Sequence, residues 1–420
     1  MTRRPLPCSK STSAGMEALS GRCRRGIREG GAPPTCPPAL SKLPPSGEDD
    51  RLHTNVVIVG AGPAGLAVGA CLRRAGLDFV ILEKAHEIAP VWRRHYRRLH
   101  LHTVKSFSSL PHMPFPKDYP RYVPREKVLA YLDAYAERFE LRPRFGETVN
   151  SILREDGGYL VETGTNTFSA RQVVIASGSN AEPVVPDLPE IDAFKGRRLH
   201  SADYTEATPF TGQSVLVVGM GNTGAEIALD LAECGARPTL SVRNGVHIVP
   251  LQLFGVPIQM IAIASQPMPQ AVNDRLFPIV LDFALGKLEK YGIVRPKQGI
   301  LEQVDAGRIP VIDVGTVETI KSGGIKVAPD IKRFTEHGAI FVSGRQAEFD
   351  SVILATGYRP GFEKFLPTEL WPGKSGVTRQ ASELGLYLVG FHNPVTGLLR
   401  EIGREAVAVT NDIKRRSSTR

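Results

Sequence analysis

Cysteine is scarce in this chain, and the few present lie far apart. Of 420 residues five are cysteine, three of them (Cys8, Cys23 and Cys36) near the N-terminus. There is no CxxC or CxxxxC pair and no Cys/His cluster. This excludes a zinc centre, a disulfide framework and a redox dithiol, and a reducing, cytoplasmic setting is expected. Long hydrophobic runs are missing too. No uninterrupted apolar stretch reaches the roughly 18 residues that cross a bilayer, so no transmembrane helix is predicted. The most apolar region, Val249 to Leu285, is broken by Gln252, Pro257, Gln259, Pro267 and Asp274; it is expected to form a buried helical pair, with a surface that leans on a membrane as the alternative. Nor does the body of the chain carry an excess of either charge. The net +9 resides at the ends, +6 in residues 1–45 and +3 in residues 411–420, which leaves residues 46–410 neutral. A nucleic-acid-binding body needs a basic face, so that function is excluded. Without a nucleophile triad or a ligand cluster, neither side-chain nucleophilic catalysis nor a metal site is expected.

Glycine, by contrast, is plentiful at 41 residues, as in folds whose backbone approaches ligands closely. Residues 1–50 are rich in Pro, Gly, Ser and Arg, poor in acids, and show no hydrophobic period. They read as a disordered basic leader. An organelle transit peptide and an extended start with Met16 as the alternative both fit it. Order is expected from Asn55, where Val56-Val57-Ile58-Val59 reads as a strand buried on both faces. A glycine turn, an apolar helix (Leu66 to Ala75) and a second strand (Phe79 to Leu82) complete one βαβ unit. About 160 residues later the pattern returns: Val215 to Val218, a glycine turn, Ala225 to Cys234, then Thr239 to Val242.

The first turn is Gly60-Ala61-Gly62-Pro63-Ala64-Gly65. In such a turn the first glycine makes the bend, the second admits a pyrophosphate, and the third lets helix pack on sheet. The helix start presents free N–H groups to the phosphates. Glu83 ends the next strand, where a carboxylate accepts ribose hydroxyls; Lys84 and Trp92 are placed beside the same ligand. The second turn is Gly219-Met220-Gly221-Asn222-Thr223-Gly224, and its following strand leads to Arg243 instead of an acid. A guanidinium pairs with a 2′-phosphate that a carboxylate would repel. FAD in the first site and NADPH in the second follow. The Ala-Ser-Gly turn ending at Gly178 and the turn Ala355-Thr356-Gly357 mark where the chain leaves each sheet, and both are expected at the cofactors.

The fold expected is α/β, with two Rossmann-like dinucleotide-binding domains and the NADPH domain inserted into the FAD domain. The boundaries expected are 51–185 and 356–412 for FAD, 186–355 for NADPH, and a basic tail at 413–420.

Between the fingerprints, Phe194 to Tyr204 fits FxGxxxHxxxY and so resembles the identifying sequence of the class B flavin monooxygenases. Baeyer–Villiger relatives end this motif with Trp where this chain has Tyr204. Leu99 to Lys105, Leu129 to Phe139, Tyr291 to Lys297, Pro310 to Val327 and Phe349 to Tyr358 resemble the plant-type YUCCA flavin monooxygenases, over about Asn55 to Ile413. The resemblance implies FAD at Gly60, Gly62, Gly65 and Glu83, and NADPH at Gly219, Gly221, Gly224 and Arg243. It further implies activation of O2 at the flavin and oxidative decarboxylation of a 2-oxo acid, indole-3-pyruvate, to indole-3-acetate. His200 and Tyr204 are candidates in the linker motif, with an architectural role favoured. Lys105 is the candidate near the flavin, in a region where many N- and S-oxygenating relatives carry Asn. For Arg93, Arg94, Arg97 and Arg98 three roles stay open: holding a substrate carboxylate, covering flavin phosphates, or facing solvent. Thr223 stands where Ser is usual, and Gly390 to Thr396 departs from the plant pattern, which leaves the substrate open. N- or S-oxygenation of small nucleophiles is one alternative. A flavin-binding NADPH oxidase or redox sensor without oxygenation is another.

Overall fold

The computed structural model describes residues 51–418; the basic leader expected at 1–50 lies outside them. The first strand, β1 (Leu52–Val59), ends in four apolar residues, three of them with no exposure at all. Such a run cannot sit at a water-facing edge and takes the middle of a parallel sheet. The chain then forms α1 (Pro63–Arg74), with proline in its first turn, and β2 (Phe79–Glu83), parallel to β1. Helix α2 (Arg125–Arg138) packs on α1. Strands β3 (Arg144–Phe145), β4 (Val149–Glu155), β5 (Gly158–Thr163) and β6 (Thr167–Ile175) follow, with β4, β5 and β6 as an antiparallel meander. Their sheet runs β3-β2-β1-β6-β5-β4.

A second sheet begins with β7 (Arg197–His200) and β8 (Ser214–Val218). Helix α3 (Asn222–Glu233) and β9 (Arg237–Ser241) complete its βαβ unit. After a helical excursion, α4 (Ile258–Ser265) and α5 (Gln270–Leu285), come β10 (Lys326–Ala328) and β11 (Ser351–Leu354). All five strands are parallel, in the order β10-β9-β8-β11-β7. The chain then returns to the first sheet, where β12 (Leu386–Leu388) pairs with β6. It ends on α6 (Leu398–Ser418), which lies along α1. The second sheet is thus an insertion between two strands of the first, as expected.

Two expectations need correction. Residues 413–418 are the end of α6 rather than a tail, because Ile413 is fully buried and anchors the last turns. The region 249–285 is helical but only half covered. Val249, Ile258 and Leu281 form a small core, whereas Val272, Leu276, Ile279 and Phe283 on α5 are 38, 50, 68 and 78% exposed. Phe254, 80% exposed, packs its ring 6.1 Å from Phe283. These helices form a single layer over a cavity, so their outer face meets no further element among the described residues. No helix among the described residues is long and apolar enough to cross a membrane.

Candidate functional site

The first glycine turn is built by contact with the strand beside it. Gly60 has φ +109°, and a Cβ there would lie 2.6 Å from the Ala176 carbonyl oxygen. A Cβ on Gly65 would lie 1.9 Å from the Gly60 carbonyl oxygen. A Cβ on Gly62 would meet nothing within 4 Å, because Gly62 faces open space where α1 begins. A ligand with two phosphates fits that cradle. Glu83 is buried, and its carboxylate accepts from the Ala61 amide at 2.8 Å and the Ala85 amide at 2.9 Å. Held on one side by backbone, it turns toward the cavity, as a ribose ligand requires.

The second turn repeats this construction. Gly219 has φ +106° and its Cβ would lie 2.6 Å from the Ala355 carbonyl oxygen; that of Gly224 would lie 2.0 Å from the Gly219 carbonyl oxygen. Gly221 is again open. Asn222 is engaged at both ends, accepting from the Ile312 amide at 2.7 Å and donating to the Pro310 carbonyl at 3.2 Å. Arg243 is exposed just past β9, whose last residue pairs with the end of β8. A cation therefore stands at the edge that carries the open glycine. In the neighbouring turn, Thr356 donates to the Val184 carbonyl at 2.5 Å, and the Gly357 carbonyl accepts from the Val184 amide at 2.9 Å.

A cavity of about 1410 Å³ joins these features, larger than the roughly 300–1,000 Å³ that a single small ligand takes. Gly60, Gly62, Pro63, Ala64, Glu83, Lys84, Trp92 and Gly178 line it, and at its other end so does Asn222. Gly65, Gly219, Gly224 and Ala355 act in packing instead. Gly221, Thr223, Arg243, Thr356 and Gly357 lie outside the cavity lining, toward the second sheet's edge.

Of the four arginines left open, three are taken. Arg93 pairs with Glu87 and Asp133, Arg97 with Glu206, and Arg98 with Glu233. Arg94 alone of these lines the cavity. Lys105 is not at the cavity: its ammonium donates to the carbonyls of Lys117 at 2.6 Å, Pro116 at 3.4 Å and Tyr119. A compact cation so capped by carbonyls staples a loop. Of that stretch Leu101, His102 and Thr103 line the cavity, and His102 has its Nε2 2.7 Å from Oε1 of the buried Glu226. Glu226 was legible, as the one acid in the apolar run Ala225 to Leu229. His95 also lines the cavity; burial and the Arg125 charge push its imidazole down to about 4, so it is neutral.

His200 closes β7 beneath the Tyr358 ring (5.2 Å, 89°) and accepts the Ala202 amide at Nδ1 (3.0 Å). Burial lowers its pKa. Tyr204 is buried and donates to Asp230 at 2.6 Å. Neither lines the cavity: His200 packs on Tyr358 where the chain leaves the second sheet, and Tyr204 is tied to α3 through Asp230. Glu147 is held below its ordinary pKa: burial pushes it up, but hydrogen bonds from Thr163, Thr165 and Asn166 outweigh that. At the other end Glu405 of α6 accepts the Gly390 amide at 2.8 Å. Burial pushes this carboxyl up to about 7, against hydrogen bonds from Gly390 and Ser375.

Residues 53–371 match the family described as flavin-binding monooxygenase-like. The chain belongs to that family. It is 40% identical over 346 residues to a probable indole-3-pyruvate monooxygenase, YUCCA4 of Arabidopsis thaliana, covering 80% of this chain and 84% of that relative. It is 42% identical over 381 residues to the indole-3-pyruvate monooxygenase YUCCA8 of Oryza sativa subsp. indica, covering 85% and 90%. A solved flavin-containing monooxygenase from Stenotrophomonas maltophilia shares the fold, with TM-score 0.63 at 24% identity over 87% of this chain and 99% of that one. As a flavin-binding monooxygenase the chain uses FAD and NADPH, and the two open glycines and Glu83 fit both groups. Among the described residues no group of His, Cys, Asp and Glu is arranged to hold a metal.

Proposed function

We propose that this enzyme oxidatively decarboxylates a 2-oxo acid of the indole-3-pyruvate class, with NADPH and O2 as co-substrates. The observation that carries the reading is the 40–42% identity to indole-3-pyruvate monooxygenases over most of both chains. The bound flavin would supply the activation of O2; the chain's residues bind, orient and exclude water. Gly62 and the start of α1 hold the pyrophosphate of FAD, and Glu83 its ribose. Gly221 and Arg243 hold the phosphates of NADPH. Trp92, Leu101, Phe277 and Leu281 give the cavity apolar walls, which suit an aromatic side chain and keep water from competing. Arg94 supplies the cation for the carboxylate that leaves as CO2. A reducing, cytoplasmic setting belongs to this reading. The domain boundaries at 185 and 355 belong to this reading as well.

The test is aerobic NADPH oxidation by FAD-loaded protein with indole-3-pyruvate, measuring indole-3-acetate and peroxide together. Acetate in near proportion to NADPH consumed is the expected result. Peroxide in proportion to NADPH, whether or not the oxo acid is present, would reject the substrate and favour an oxidase.

A further inference from the structure

Gln259, one of the polar residues that break the apolar region 249–285, is 2% exposed and uses both ends of its side chain. It stands in the first turn of α4. Its Oε1 accepts the Val104 amide at 2.9 Å, and its Nε2 donates to the Thr396 carbonyl. Val104 and Thr396 are buried, and neither of these two backbone groups has another partner among the described residues. A buried N–H and a buried C=O are each costly to leave unpaired, and one side-chain amide satisfies both. The fit is close: a Cβ on Gly397 would lie 2.8 Å from Thr103 Cγ2 and 2.9 Å from Gln259 Nε2.

The three segments that meet here come from different parts of the chain. The helical layer of α4 and α5 belongs to the insertion, and its two ends pair with each other as Ile248–Pro250 and Val311–Asp313. Val104 and Thr396 belong to the first-sheet body, one before the insertion and one after it. Residues beside each bond, Thr103, Ile258 and Val395, line the cavity, whereas Gln259 stands behind that wall. Ties from Arg121 to the Gly255 carbonyl and from Tyr122 to the Leu251 carbonyl are longer, 3.4 Å each. We propose that Gln259 is a positioning residue for oxygenation: it clasps the helical layer to the first-sheet body, and the closed wall keeps water from the oxygen chemistry inside. Where that wall gapes, NADPH, a proton and O2 give NADP+ and hydrogen peroxide, with no oxygen transferred to a substrate. This role rests on flavin monooxygenation alone and holds for whichever substrate the cavity takes.

The experiment uses FAD-loaded protein without substrate. In Gln259→Leu, which nearly keeps the volume and removes both bonds, peroxide formation from NADPH and O2 is expected to rise about tenfold, the effect of a lost buried hydrogen bond. Anaerobic reduction of the bound FAD by NADPH, a step indifferent to water, stays within about twofold of the unaltered protein. Deuterium uptake quickens in the peptides that hold Val104, α4 and Thr396, and not in those of β1 and α1. Gln259→Glu supplies the rescue. A carboxylic acid can accept from Val104 and donate to Thr396, whereas a carboxylate has no hydrogen for the carbonyl. Relative to the unaltered protein at the same pH, Gln259→Glu is expected to leak little peroxide in acid and as much as Gln259→Leu in alkali. Should Gln259→Leu not fold, that pH dependence carries the test by itself. Unchanged peroxide formation in Gln259→Leu overturns the proposal, as does a leak from Gln259→Glu that is the same at every pH. Faster exchange throughout the protein, or a matching loss of anaerobic reduction, marks a general loosening and overturns it too.

Discussion

The glycines of one turn have opposite tasks, and single methyl groups separate them. Gly65→Ala drives a Cβ into the Gly60 carbonyl at 1.9 Å, so soluble folded protein is expected to be lost. Gly62→Ala meets no protein atom and sits at φ −77°, which any residue adopts. That variant should melt within about 1 kcal/mol of the parent without cofactor, yet lose bound FAD, read as the 450 nm absorbance after gel filtration. Retained FAD would show that the open side of Gly62 is not the phosphate cradle. Glu405 makes a different kind of statement. Its folded pKa of about 7 lies above the ordinary 4.5, so its contribution is fully present below pH 4.5 and is lost as pH rises through 7. Glu405→Gln keeps the acceptor for Gly390 and removes the titration. Above pH 7 the variant is expected to be the more stable by roughly 3 kcal/mol, with the two converging toward pH 4.5. Parallel melting curves across that range would contradict this account.

At the scale of elements, α5 shows what a sequence pattern leaves undecided. Positions 272, 276, 279 and 283 mark a helical apolar stripe, and the segment is indeed helical. Periodicity reports that one face is apolar; it does not report whether another layer exists to cover it. The outer stripe should therefore tolerate change: Ile279→Ser is expected to shift stability by less than about 0.5 kcal/mol, whereas Leu281→Ser, on the buried face, should cost several times more. Chemical denaturation of both variants decides the point, and equal costs would mean that the stripe is covered. The two fingerprints were legible because strand, turn, helix and terminal acid or arginine must fall at fixed spacing. Lys105 does not line the cavity, because sequence gives a residue's region, not the direction of its side chain. Its flexible stem reaches three carbonyls, and His102, three residues earlier, takes the cavity.

Taken as a whole, the molecule closes its first sheet last. Strand β12 and helix α6 come after the entire second sheet, yet β12 pairs with β6 and α6 lies on α1. A chain ending at Gly385 lacks both, leaving β6 with an open edge and α1 with an uncovered apolar face. That truncation is expected to be insoluble or unable to retain FAD, checked by soluble yield and flavin absorbance; a soluble, FAD-loaded product would show that the first sheet closes without its return strand. The insertion also requires the chain to cross between the sheets twice, and the crossings are not independent. Tyr358 pairs with Pro183 and Arg359 with Glu182 in an antiparallel ladder, and Thr356 and Gly357 add bonds to Val184. Two unconnected tethers would let one body swivel on the other. Two tethers laced side by side behave as a strap hinge, stiff to twist and compliant to bending in one plane. A displacement of one sheet against the other must then carry both crossings together, because the ladder joins them.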